Sequence, residues 1–255
     1  MIRFAPGFLT APLAHRALHD VTDGRPENSR AAIRAAIQAG YGIEIDLQLS
    51  EDAHPMVFHD YELSRLARAD GPIRQRSASD LATIPLIGGD EGIPTLQEVL
   101  DLIDGQVPLL IELKDQDGQL GANIGALETA TAALLNRYKG PVAVMSFNPH
   151  SVAKMATLCP GVPRGLVTGA YDPDVWAPVT PETCDRLRDI PDYDRVHASF
   201  ISHQAQDLNR PRVAELKAQG ADILCWTVTS PDQEAQARKV AQNITFEQYL
   251  PVRQA

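Results

Sequence analysis

Cysteine is scarce in this 255-residue chain: Cys159, Cys184 and Cys225 are odd in number, far apart, and form no CxxC pair. That excludes a disulfide framework and a cysteine-based zinc site, and it suits a reducing cytoplasm. Long hydrophobic runs are also missing, and no stretch approaches the roughly 18 apolar residues of a membrane span. The first residues, Met-Ile-Arg-Phe-Ala-Pro-Gly-Phe-Leu, lack the basic segment and apolar stretch of a secretory signal, so a cytoplasmic location is expected. Positive charge is in deficit, with 23 Lys and Arg against 33 Asp and Glu and a net charge of −10. Such a field repels nucleic acid and anionic membranes, so neither is an expected partner. An anionic small molecule would need local positive charge, which a bound divalent ion, Arg16 and Lys114 could supply. The GxGxxG turn, the Walker A loop and the GxSxG elbow are absent as well. Serine and cysteine nucleophiles therefore have no support.

What is present is an alternation of short apolar runs with helical patterns. Composition is ordinary for a globular protein, 44% apolar and 22% charged. After a first run at 10–14, residues 29–39 predict a helix with Ile33 and Ile37 four apart, capped by Asn28 or Ser29 and stopped by Gly40. Strands are expected at 43–49, 55–58, 108–114, 142–146, 164–167, 195–199, 222–226 and 243–246. Helices are expected at 95–103, 123–138, 149–157, 180–188, 210–219 and 231–241. This alternation implies a parallel sheet, and about eight units imply closure into a TIM-type (β/α)8 barrel forming one domain over residues 1–255. An open doubly wound sheet is the alternative. The stretch 60–94, with Pro72, Pro85, Pro94 and Gly88-Gly89, is the least periodic and reads as a long loop that shapes a site and carries one short helix.

The segment from Glu44 to Asp60 carries the chemistry. A strand alternates its side chains, so Glu44 and Asp46 share one face while Ile43, Ile45 and Leu47 take the other. Two acids on an apolar strand are costly to bury without a cation, and hard carboxylates suit Mg²⁺ or Ca²⁺. Met56-Val57-Phe58 then ends in His59, as Pro12-Leu13-Ala14 ends in His15-Arg16. Alone, Glu44-x-Asp46 or His59-Asp60 reads as structural or solvated more readily than as functional. Glu112-x-Lys114, taken alone, reads equally well as an edge salt bridge or a catalytic pair. Together they place acids and imidazoles at the C-terminal ends of successive strands, where α/β proteins build sites. In that register Glu112 is an expected third metal ligand and Lys114 a cation facing a phosphate.

The other candidates have bland readings beside the functional ones. His19 and His54 read as solvated turn residues, and His150 as structural at a helix start. His197 reads as a strand residue and His203 as a loop residue. Trp226 and Phe147 are core residues or walls for a substrate's alcohol moiety. Asn28 is a helix cap or a ligand-binding amide.

The chain resembles the glycerophosphodiester phosphodiesterases. The resemblance rests on Ala14-His15-Arg16, Pro26-Glu27-Asn28-Ser29, Gly42-Ile-Glu44-Ile-Asp46, Val57-Phe58-His59-Asp60, Pro94-Thr95-Leu96 and Ile111-Glu112-Leu113-Lys114, with weaker echoes in Ser146-Phe147, Trp226-Thr227-Val228 and Ile244-Thr245. It implies a TIM-type barrel that hydrolyses glycerophosphodiesters to glycerol 3-phosphate and an alcohol. It implies that Glu44, Asp46 and Glu112 hold Mg²⁺ or Ca²⁺ (or Mn²⁺), that His15 and His59 are the acid–base pair, and that Arg16 and Lys114 face the phosphate. It also implies that a neighbouring glycerol hydroxyl can act as nucleophile, giving a cyclic phosphate that water opens. Ala17 stands where the family usually has glycine. Asn243 and Phe246-Glu247 replace a more aspartate-rich ending, which bears on substrate preference. The competing readings are a related barrel acting on lysophospholipids or phosphoinositides, and a catalytically silent, metal-stabilised binding barrel.

Overall fold

The computed structural model describes residues 2–252; Met1 and residues 253–255 of the expected 1–255 domain lie outside the described residues. Eight parallel strands close into a barrel: β1 (Leu13–Ala14), β2 (Gly42–Leu49), β4 (Leu109–Leu113), β5 (Val142–Ser146), β6 (Arg164–Thr168), β7 (Phe200–Gln204), β8 (Asp222–Val228) and β9 (Asn243–Phe246). Closure runs through β1, where Leu13 registers with Gly42 of β2 and Thr245 of β9. The open-sheet alternative is thereby excluded. Strand β3 (Pro55–Val57) is an antiparallel excursion that pairs Val57 with Leu47.

The helices on the outside are α1 (Arg30–Ala39), α2 (Ala78–Leu81), α3 (Leu96–Ile103), α4 (Ala126–Leu135), α5 (Pro149–Leu158), α6 (Pro181–Arg188), α7 (Pro211–Ala218) and α8 (Pro231–Ala237). Local chemistry starts them. Ser29 accepts the Ala32 amide at the head of α1, and Thr95 with Glu98 forms a capping box on α3. Helices α5 to α8 each open on a proline, whose missing N–H would have no partner there anyway.

Strand alternation divides the core into two layers. Ile43, Ile45 and Leu47 of β2 and Leu109, Ile111 and Leu113 of β4 face outward against the helices. Leu13, Leu110, Met145, Val167, Phe200 and Leu224 fill the interior instead. The interior is crowded enough to demand glycine: a Cβ on Gly42 would lie 2.6 Å from Leu13, and one on Gly165 2.4 Å from the Phe200 ring. Residues before β1 plug the N-terminal end, with Phe4 stacked on Phe8 at 4.3 Å. Buried Asn243 fastens that plug by donating to the carbonyls of Phe8 and Ala11 at 2.9 and 2.7 Å. Its place in the ending is therefore structural, at the end of the barrel opposite the charged mouth.

One strand lies later than its expected place at 195–199, at Phe200–Gln204. Val196 and Ala198 are buried in alternation, which mimics a strand, but the backbone there turns. Val196 N–H donates to the Asp192 carbonyl, Ala198 N–H to that of Tyr193, and His197 sits at φ 51°. His197 is thus an exposed turn residue, while His203 is a fully buried strand residue bonded to Thr168 and Asp207. The 60–94 stretch is irregular apart from a 3₁₀ turn at Ile73–Gln75 and α2, and it buries a small core of its own around Phe58, Leu63, Leu81 and Ile93.

Candidate active site

Strand register assembles the charged centre. Asp46 lies beside Glu112 and Glu44 beside Leu110, so the three acids point into the C-terminal mouth from neighbouring strands. One carboxylate oxygen from each lies within 4.8 Å of the others, and all three residues are buried. Each acid has a distinct environment. Glu44 accepts the Arg16 backbone N–H at 2.9 Å. Burial and the nearby carboxylates of Asp46 and Glu112 nevertheless push its pKa well above the ordinary range. Asp46 is opposed by burial too, but the Lys114 ammonium, 2.8 Å away, and the other cations around it hold its pKa well below that range. Lys114 also lies 2.8 Å from Glu112. Burial works against its charge, yet the two acids outweigh this and raise its pKa.

A Glu44 whose ionisation is opposed by burial and by two further acids marks a site short of positive charge. Oxygen-only donors at this spacing fit a hard divalent cation such as Mg²⁺, Ca²⁺ or Mn²⁺ and do not suit zinc, which favours nitrogen and sulfur. Lys114 supplies only part of that charge.

Two imidazoles line the same mouth, each backed by a carboxylate. His15, just past β1, places Nδ1 2.7 Å from Glu247 Oε2, past β9. His59 places Nδ1 2.6 Å from Asp60 Oδ1, and Asp60 is itself held by two 2.6 Å bonds from Arg65. Since the carboxylates accept, Nδ1 of each ring carries the hydrogen and Nε2 is left for the cavity. Burial lowers the His15 pKa against the raising effect of Glu247, so the ring is neutral near neutral pH. The hydrogen bond from His15, with His19 Nε2 a further partner 3.6 Å away, holds Glu247 well below the carboxylate range. His19 is therefore a half-buried partner of Glu247 and not simply solvated. His54 is exposed, as expected, with Asp52 3.9 Å away.

A cavity of about 150 Å³ is bounded by His15, Arg16, Glu44, His59, Lys114 and Trp226, with Phe147 also on its wall. Asn28 is not on that wall. It caps no helix; its amide instead donates to Asp46 Oδ2 at 2.9 Å while its carbonyl accepts the Asp46 N–H. Arg16 reaches Glu27 at 2.7 Å and lies 3.6 Å from Asp46.

The sequence links Glu247 only to substrate preference; its place against His15, 232 residues away, arises because β9 closes on β1. Sequence reasoning also passed over Asp60, although His59-Asp60 stood in plain view, and over Arg65. Adjacency in sequence was the available signal for Asp60, whereas the pairing of Glu247 had none.

The model of the glycerophosphoryl diester phosphodiesterase family matches residues 15–244. Bacillus subtilis YhdW is 27% identical over 228 residues, covering 86% of each chain. A glycerophosphodiester phosphodiesterase of Caldanaerobacter subterraneus is 29% identical over 166 residues, covering 62% of this chain and 66% of its own. Among solved structures, an Oleispira antarctica phosphodiesterase in complex with the product sn-glycerol-3-phosphate superposes with a TM-score of 0.76 at 24% identity, covering 94% of this chain and 93% of the other.

Proposed function

Since the chain belongs to the glycerophosphoryl diester phosphodiesterase family, we propose that its mouth releases glycerol 3-phosphate and an alcohol by two-histidine chemistry beside a bound divalent cation. The coarse activity comes with the family: the protein is a phosphoric diester hydrolase acting on glycerophosphodiesters. The observation that carries the finer reading is the pair of carboxylate-backed imidazoles bordering one 150 Å³ cavity with Lys114 and two of the three clustered acids. Glycerol 3-phosphate as the product agrees with the ligand of the Oleispira antarctica enzyme.

In this reading His15, neutral and oriented by Glu247, takes the proton from a glycerol hydroxyl through Nε2 as that oxygen forms its bond to phosphorus. His59, held by Asp60, gives a proton to the departing alcohol oxygen as its bond to phosphorus breaks. Water then opens the cyclic phosphate with the proton roles reversed, which returns both rings to their starting states. Arg16 and Lys114 offset charge on the non-bridging oxygens. A cation held by Glu44, Asp46 and Glu112 would supply Lewis-acid stabilisation of the phosphoryl charge. Asn28 fixes Asp46 in its ligating pose, and Phe147 and Trp226 wall the organic part of the substrate.

Incubating the protein with glycerophosphocholine and Mg²⁺ or Ca²⁺, followed by phosphorus NMR, tests this directly. Metal-dependent appearance of glycerol 3-phosphate is expected. Thermal stabilisation by the diester without any product would overturn the catalytic reading in favour of a binding barrel.

A further inference from the structure

Beside the 150 Å³ cavity lies a groove of about 590 Å³ that shares His59, Glu112, Lys114, Phe147 and Trp226 with it and runs out along residues 175–179. The two spaces are unequal in size and in chemistry. The smaller one is lined by charged side chains and, in the hydrolase reading, is where the phosphate and the glycerol arm sit. The larger one starts at His59 and does not include His15.

Hydrocarbon faces this groove. Phe147, Trp176 and Trp226 form its inner wall, while Val175, Pro178 and Leu120 extend it outward. Two of its aromatic polar atoms are already engaged, since the Trp226 indole N–H donates to the Ser202 carbonyl at 3.0 Å and the Tyr61 hydroxyl to the Asp115 carbonyl at 2.7 Å. Most of the acids along it are occupied as well, Glu112 by Lys114 at 2.8 Å. Asp60 holds His59 and Arg65, and Asp115 accepts from Asn148 and Leu120; Glu62 stands exposed at the rim.

The aromatic rings do not form a cage for a quaternary ammonium. Phe147 packs edge-on against Trp176 at 4.8 Å and Trp226 at 5.5 Å, with interplanar angles of 62° and 87°. Rings in contact with one another leave no gap for a cation between their faces, so they make a continuous apolar wall. Val175, 76% exposed, carries this apolar wall out to the rim.

We propose that this groove binds the leaving alcohol and selects diesters in which that alcohol carries an uncharged alkyl chain. The proposal rests on the hydrolase reading above and adds the identity of the second arm. It also makes His59, the imidazole bordering the groove, the donor to the leaving oxygen.

The test compares kcat/KM for ethyl, butyl and hexyl esters of glycerol 3-phosphate, and for the choline ester against its neutral isostere, the 3,3-dimethylbutyl ester. From ethyl to hexyl kcat/KM should rise by about tenfold or more, given the usual worth of buried methylenes. The neutral isostere should equal or exceed choline. Trp176→Ala should reduce the hexyl-to-ethyl ratio, and Val175→Asp, at an exposed position that does not support the fold, should reduce it as well. A flat or falling series, or a clear preference for choline over its isostere, overturns the proposal while leaving the hydrolase intact. Failure to cleave any ester in the presence of Mg²⁺ or Ca²⁺ overturns the hydrolase reading itself, and the groove assignment with it.

Discussion

The mouth of the barrel has two unlike arcs. From β9 through β1 and β2 to β4 it presents Glu247, His15, Arg16, Glu44, Asp46, Glu112 and Lys114, nearly all tied to one another by short ion pairs or hydrogen bonds. From β5 to β8 it presents Phe147 and Trp226, and the loop after β6 adds Trp176. One arc holds the charge that phosphoryl chemistry needs, and the other offers surface that stabilises whatever arm lies against it. A fold whose strands all end at one rim can vary these two arcs separately. Changes in the charged arc should therefore damage kcat, and changes in the apolar arc should act on KM and on the choice of substrate.

The strongest way to break this division is to strip the protein of divalent metal. Three clustered carboxylates and an anionic diester are too much negative charge for Arg16, Lys114 and one imidazolium in a partly desolvated pocket. Chelation should abolish turnover, and Mg²⁺, Ca²⁺ or Mn²⁺ should restore it. Asp46→Asn should weaken metal binding, with partial rescue at high metal concentration. Full activity in a preparation verified as metal-free would leave the histidines and Arg16 to carry the reaction alone.

Next in size, His15→Ala and His59→Ala should each lower kcat by roughly 10²–10⁴-fold, the usual worth of a positioned acid or base. Both variants should fold, since neither ring belongs to the hydrophobic core. Phe147→Ala, in the other arc, should act mainly on KM. A loss of kcat there as large as that of the histidine variants would erase the distinction between the arcs.

The two arcs also differ in how much of them was legible beforehand. Apart from Glu247, the charged arc could be read because its acids and histidines lie on or just past apolar runs, where strand alternation fixes the direction they face. The barrel was legible for the same reason, except at β7. There the sequence Phe200-Ile-Ser-His-Gln looks too polar for a strand, and buried Val196 and Ala198 drew the assignment five residues early. His203 tolerates its burial because Thr168 and Asp207 satisfy both ring nitrogens. The apolar arc was only partly visible. Phe147 and Trp226 were candidates, but Trp176 sits in an aperiodic loop where no spacing rule applies. Glu247 escaped because its partner is at the other end of the chain.

Glu247 gives a smaller and sharper test. Its hydrogen bond and charge raise the His15 pKa against burial, which lowers it. Glu247→Gln removes the raising influence, so the His15 pKa should fall further. The acid limb of kcat/KM, governed by the need for neutral His15, should then move to lower pH, while kcat falls about tenfold as the ring loses its orientation. Stability follows the same sign. A histidine with a depressed folded pKa binds fewer protons when folded, so its contribution declines as pH drops below the unfolded value of about 6.5. An acid limb that stays in place in Glu247→Gln would show that Glu247 only packs beside the ring.

The smallest effect is expected at Ala17. It sits at φ 66° with Arg16 at φ 52°, and this left-handed pair turns the Arg16 N–H onto Glu44 and the Ala17 N–H onto the Glu44 carbonyl. An alanine in that region costs about 1–2 kcal/mol that glycine would not. Ala17→Gly removes this cost, but it loses a buried methyl worth about 0.8 kcal/mol and loosens the unfolded chain by about 0.4–1 kcal/mol. The terms nearly cancel, so Tm should shift by less than about 3 °C, and turnover should hold because the turn keeps its shape. Ala17→Val is the opposing control. A β-branched side chain at positive φ in a filled core should destabilise by about 2 kcal/mol or more and should take activity down by displacing Glu44. If valine were tolerated as well as glycine, the turn between β1 and α1 would not be what holds Arg16 on Glu44. The order of the charged arc would then have to come from the cation and Lys114.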